Sequence, residues 1–128
     1  MEANRNPVGW FEIYVQDMGR ARDFYEKTFQ VTLERLESPD GAQLIELWAF
    51  PMRRAQPGCA GALVKMEGKD SGSAGTILYF SCADCAMEES RAVQNGGRIQ
   101  KAKTSIGPYG FISLILDTEG NMIGLHSM

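Results

Sequence analysis

The chain has 128 residues, 44% apolar and 23% charged, with a net charge of −3 and a pI near 5.1. That length and balance suit one globular domain with its own core rather than a disordered segment. The scattered Lys and Arg leave no basic stripe for a phosphate backbone, and no apolar run approaches the roughly 20 residues that span a bilayer, so nucleic-acid and membrane partners are not expected.

The opening segment, Met1 to Pro7, is polar and carries no leader-like apolar stretch. Three cysteines (Cys59, Cys82, Cys85) are too few and too odd in number for a disulfide scaffold, and a cytoplasmic location is expected. Val8 to Gln16 is rich in aromatic and β-branched residues and reads as a strand. Asp17 suits a helix N-cap, and Ala21, Phe24, Tyr25 and Phe29 recur at helical spacing over 19–29. Strands are predicted over Val31 to Glu37 and Ala42 to Phe50, joined by the turn Ser38-Pro39-Asp40-Gly41. A basic loop over 51–58 leads to a strand over Ala60 to Glu67. The Gly- and Ser-rich stretch 68–75 reads as a flexible linker.

The pattern then begins again. Thr76 to Cys82 reads as a strand, Asp84 as a second cap, and 86–94 as a helix ended by Asn95-Gly96-Gly97. Strands are predicted over Arg98 to Lys103, Tyr109 to Leu116 and Met122 to Ser127, with a turn at Ile106-Gly107-Pro108 and a tight turn over 117–121. The order is β-α-β-β-β, linker, β-α-β-β-β. Val15-Gln16-Asp17 corresponds to Cys82-Ala83-Asp84, and the run from Gly58 can be laid on the run from Gly120. A single domain over 1–128 is expected, with one module at about 7–67 and the other at about 76–128.

Three stretches carry a family resemblance. Glu12 to Ala21 followed by Phe24-Tyr25 forms a strand, an Asp and a helix with an aromatic pair. Ala92-Val93-Gln94-Asn95-Gly96-Gly97 forms a helix end. Asp117-Thr118-Glu119-Gly120-Asn121-Met122-Ile123-Gly124-Leu125 is similar to a D-x-x-G-N-x-x-x-L signature. With these the chain resembles the vicinal oxygen chelate superfamily, which includes glyoxalases, bleomycin-resistance proteins and dioxygenases. The resemblance implies an α+β fold of two βαβββ modules forming a curved mixed sheet around a cleft. It also implies a small-molecule ligand and pairing as a homodimer.

Metal-using relatives hold a divalent ion at four cleft-facing positions. Carried over, these are Trp10, Ala62, Ile77 and Gly124, none of which offers a lone pair to a cation. Gly124 stands where metal-binding relatives have a Glu. No metal and no cofactor are therefore expected, and metal-dependent glyoxalase, dioxygenase and thiol-transfer activities are disfavoured.

The candidate ligand-binding residues are Trp10, Glu12, Trp48, Tyr79, Tyr109 and His126. Trp10 can stack on a flat ligand or plug the space a metal would take. Glu12 shares its strand face, where it can act as an acid/base, bind a ligand amine, or pair structurally. His126 is the sole histidine and shares a face with Gly124; with Glu12 it would make only two ligands of a displaced metal site. Tyr79 shares the face of Ile77. Trp48 has Phe50 on its own side and Leu47 and Ala49 on the other, and either side can face inward. Tyr109 lies in a loop able to cap a cleft, while Arg53 and Arg54 sit on the basic loop. Cys82 and Cys85 form a C-x-x-C without the further ligands zinc needs and read as ordinary small residues.

The favoured function is metal-independent binding of a small organic molecule in the cleft. The alternatives are a metal-free isomerase or lyase with Glu12 as catalytic acid/base, a metalloenzyme with displaced ligands, and a dimer with a vestigial cleft.

Overall fold

The computed structural model describes residues 6–38 and 44–128. The element order is β1 (Val8–Tyr14), α1 (Met18–Phe29), β2 (Glu34–Leu36), β3 (Ile45–Ala49), β4 (Gly61–Met66), β5 (Thr76–Ser81), α2 (Cys85–Gln94), β6 (Arg98–Ser105), β7 (Phe111–Leu116) and β8 (Met122–Ser127). This is the twice-repeated βαβββ order expected from the sequence. The Pro39-Asp40-Gly41 part of the first expected turn lies outside the described residues.

The chain divides into two compact units, residues 10–77 and residues 6–9 with 78–128. Backbone hydrogen bonds explain where the divisions fall. The Ser81 amide donates to the Pro7 carbonyl (2.8 Å), and the Tyr14 amide donates to Gly75 (2.7 Å).

In the first unit the strand order is β2-β3-β4-β1, with β1 and β4 parallel and the other pairs antiparallel. Asp17 caps α1 by accepting from the Arg20 amide at 3.0 Å. The helix lays Met18, Ala21 and Tyr25 on a core of Val15, Leu33 and Leu63, joined by Ile13, Trp48 and Phe50. Tyr25 meets Phe50 edge-on at 5.8 Å and Phe29 stacked at 6.2 Å, while Phe11 lies 5.7 Å from Phe50. Gly61 makes room for this aromatic layer. A side chain there would strike the Phe11 ring at 2.6 Å and the Phe11 carbonyl at 2.4 Å.

The second unit repeats the plan as β5-β8-β7-β6. Asp84 caps α2 through the Ala86 amide (3.0 Å), and the chain leaves α2 through Gly96 at φ +95°. Here the helix-side core is Cys85, Ile115 and Leu125, with Phe80, Cys82, Ala92, Phe111 and Ile123 packed against it.

The registers of the two units match. β1 sets Glu12, Ile13 and Tyr14 beside Ala62, Leu63 and Val64. β5 sets Tyr79, Phe80 and Ser81 beside Gly124, Leu125 and His126. The Val15 amide continues the first ladder to Val64 (2.9 Å), and the Cys82 amide continues the second to His126 (2.7 Å). The correspondence of Val15 with Cys82, read from sequence, is thus also a correspondence of hydrogen bonds.

Candidate functional site

Alternation along β1 puts Phe11, Ile13 and Val15 on the helix side and Trp10, Glu12 and Tyr14 on the opposite face. On that opposite face the Glu12 carboxylate is gripped along its own strand. The Tyr14 hydroxyl donates to Oε1 at 2.8 Å, and the Trp10 indole N–H donates to Oε2 at 3.4 Å. Register brings Ala62 and Ala49, both fully buried, into the row of Glu12, and Val64 and Leu47 into the row of Tyr14. A charged group among such small and apolar neighbours needs the donors it has.

Tyr14 is the site residue that the sequence reading missed. It is 8% exposed, and burial, reinforced by the Glu12 carboxylate, drives its ionisation far above the ordinary phenol value of 10.0. Its hydroxyl therefore keeps its proton at neutral pH and donates it to Glu12. The signal was present as the parity of Trp10, Glu12 and Tyr14.

Trp48 lies elsewhere. Its register partner is Leu63, so it sits on the helix side, away from the face of Glu12. The Arg22 guanidinium stacks 3.6 Å above its ring, and its indole N–H donates to Glu46 at 2.8 Å. The Arg22 contact ties α1 to β3, and the structure does not bring Trp48 to Trp10 and Glu12.

In the second unit, Tyr79 and His126 lie on the face turned from α2, as the sequence parity predicts. Tyr79 is 6% exposed, and its ring covers Gly124, so that a Cβ on Gly124 would fall 2.3–2.8 Å from ring carbons. His126 Nε2 lies 2.6 Å from the Tyr109 carbonyl oxygen, and because a carbonyl only accepts, Nε2 carries the proton. Tyr109 belongs to a 3₁₀ turn over Gly107–Tyr109, not to the strand expected from sequence, which starts at Phe111. Gly110 forces that break, with φ +101° and space for a side chain closed by the Ser127 carbonyl at 2.3 Å. His126 thus links to Tyr109 through the backbone. Trp10, Glu12 and Trp48 belong to one unit, and Tyr79, Tyr109 and His126 to the other.

The four positions at which the resemblance places metal ligands do not fit a divalent ion. The Trp10 indole N–H only donates and is directed at Glu12, the Ala62 and Gly124 side positions offer no ligand atom, Ile77 is a buried aliphatic, and the Tyr79 ring fills the space beside Gly124. Among the described residues, no three His, Cys, Asp or Glu side chains come together as metal ligands would.

Cys82 and Cys85 flank the start of α2. The Cys85 amide donates to Ser127 Oγ (3.2 Å), and the Cys82 thiol donates to the Phe80 carbonyl (3.6 Å). Burial foremost, with Glu88 adding to it, pushes the Cys82 thiol up to about 11, the reverse of what a redox or metal-binding thiolate needs. Arg53 of the basic loop lines a shallow pocket of about 350 Å³ with Pro51, Gln56 and Cys59.

The D-x-x-G-N signature proves to be a structural turn. Asp117 accepts from the amides of Glu119 (2.8 Å) and Asn121 (2.9 Å) and from the Asn121 side chain (3.1 Å), and Gly120 turns at φ +84°. These donors hold the Asp117 carboxyl below its ordinary value. The motif thereby fixes how β8 enters the sheet.

A family model described as Glyoxalase/Bleomycin resistance protein/Dioxygenase superfamily matches residues 8–125. Solved structures share the fold. A hypothetical protein of Bacillus halodurans has a TM-score of 0.73 at 11% identity, covering 99% of this chain and 96% of its own. Methylmalonyl-CoA epimerase of Mycobacterium tuberculosis has 0.69 at 18%, covering 99% and 92%. The Streptomyces coelicolor methylmalonyl-CoA epimerase Q60A variant, in complex with 2-nitronate-propionyl-CoA, has 0.67 at 18%, covering 95% and 96%. No curated protein matches the sequence significantly. The α+β architecture of two βαβββ modules is that of these structures. No described helix is long and apolar enough to cross a membrane.

Proposed function

The chain belongs to the glyoxalase, bleomycin-resistance protein and dioxygenase superfamily, and from that premise we propose that it binds a small organic molecule, without metal, on the sheet face that carries Glu12. The observation that carries this reading is the grip of Tyr14 and Trp10 on the Glu12 carboxylate. The face offers an aromatic surface at Trp10 for stacking and one oriented acceptor for recognition. The poor fit of Trp10, Ala62, Ile77 and Gly124 to a cation supports the absence of metal. No resident cofactor is proposed, and the chain acts as a homodimer in the cytoplasm.

Tryptophan fluorescence tests this reading. In a Trp48→Phe background the remaining emission reports Trp10. Saturable quenching by one member of an organic-acid, acyl-CoA-ester and aromatic panel is expected, weakened at least tenfold by Glu12→Gln. No saturable quenching across the panel sinks the reading.

A second reading has a specific motive. Two of the three structural neighbours described above are methylmalonyl-CoA epimerases. On this reading Glu12 is the catalytic acid/base of an isomerase, removing and returning a proton beside a carbonyl. Solvent deuterium incorporation into methylmalonyl-CoA or another acyl-CoA ester, lost in Glu12→Gln and kept in Trp48→Phe, is the expected result. Incorporation that survives Glu12→Gln ends it.

A further inference from the structure

The two units share a register, so their helix-side layers can be compared residue by residue. Met18 and Cys85 directly follow the caps Asp17 and Asp84, and both are buried. The residue eight places after each cap is Tyr25 in α1 and Ala92 in α2, and each packs on its own unit's core. The strand rows agree. Leu63 corresponds to Leu125, Trp48 beside Leu63 to Ser113 beside Leu125, and Phe50 to Ile115. At these three positions the first unit carries the rings of Tyr25, Trp48 and Phe50 where the second carries Ala92, Ser113 and Ile115, while the second unit's own rings, Phe80 and Phe111, stand at the places of Ile13 and Glu46.

The place of the Tyr25 ring is open beside Ala92. Between α2 and its sheet runs a groove of about 390 Å³, floored by Phe80, Cys82, Ile115, Ile123 and Leu125, with Ala92 on the helix wall. Ser81, Glu88, Arg91 and Asn95 complete its lining, but the surface exposed to the groove is mostly apolar. Covering an open groove with an apolar floor removes apolar surface from water, which favours an apolar guest of matching shape.

We propose that this groove is a binding site for a single-ring aromatic compound of the phenol type, whose ring takes the place that the Tyr25 ring occupies in the first unit. The ring lies against Phe80, Ile115 and Leu125, and the polar substituent remains at the edge with Arg91 and Asn95. The site uses none of the Glu12 group, so it stands or falls independently of the proposed function above.

The probe is p-cresol, the side chain of tyrosine as a free molecule. Its saturable binding is followed by saturation-transfer NMR and by the rate at which a small maleimide modifies each cysteine. Cys82 lines the groove, while Cys59 is exposed on a loop of the other unit and serves as the internal control. At saturation, p-cresol is expected to slow modification of Cys82 at least threefold and leave Cys59 unchanged. Ala92→Tyr supplies the ring covalently and should weaken p-cresol binding at least tenfold. Should that variant fold poorly, Ala92→Leu narrows the same wall and should weaken binding at least threefold. No saturation up to the solubility limit, equal protection of both cysteines, or undiminished binding to a folded Ala92 variant overturns the proposal. A change in sedimentation on Ala92→Tyr without p-cresol binding assigns the groove to a second copy of the chain and equally overturns it.

Discussion

Gly124→Ala tests the packing that closes the family's metal position. Gly124 is absent from the glycines with positive φ, so its backbone tolerates a side chain and the obstacle is steric. The new methyl would sit 2.3 Å from Tyr79 Cδ1, 2.4 Å from Cε1 and 2.8 Å from Cγ. Because Tyr79 is only 6% exposed, its ring has little room to retreat. Overpacking of this sort costs about 1–3 kcal/mol. For a chain of this size each kcal/mol lowers Tm by roughly 3–5 °C, so a drop of roughly 3–15 °C is expected in thermal unfolding followed by circular dichroism. The Tyr79→Leu background isolates the cause, since removing the ring should recover most of the Gly124→Ala cost, a coupling of about 1–2 kcal/mol. The same cost in both backgrounds, or no cost in either, refutes the claim that the Tyr79 ring occupies this position.

Three further outcomes follow from the geometry. Asp117→Ala should lower Tm at neutral pH. Because the folded carboxyl lies below its ordinary value of 3.8, its contribution is present above that value and fades as pH falls through the folded one, so the two melting curves should converge in acid. Glu89→Ala should cost about 1–3 kcal/mol by urea titration, since its buried carboxylate accepts from the Lys103 amide where β6 breaks register and the amide would be left without a partner. At pH 8 a maleimide should label exposed Cys59 well before Cys82, whose thiol is pushed up to about 11; equal rates by peptide mass mapping would contradict the burial of Cys82.

The sequence was most informative where one physical rule decided the outcome. The strands of 76–81 and 122–127 and both Asp caps lie where alternation and capping chemistry put them, because nothing competed. The inward side of Trp48 was undecidable because Ile45, Leu47 and Ala49 are as apolar as Trp48 and Phe50; only pairing with Leu63 settles it. The apolar run that follows Tyr109 favours placing it in β7, yet the close approach of Gly110 to Ser127 starts the strand only at Phe111. The Glu12 group was half legible. Parity joins Trp10 to Glu12, but that Tyr14 turns its hydroxyl back two residues along the strand is a matter of side-chain torsion, which no spacing rule encodes.

The different side chains under the two helices carry a dynamic consequence. Small residues such as Ala92 and fully buried Cys85 let α2 lie against β6, β7 and β8, whereas α1 neighbours chiefly β4 and leaves Phe24 and Phe29 exposed. Amide hydrogens of α1 should therefore exchange with deuterium faster than those of α2, giving one duplicated plan a rigid copy and a breathing one.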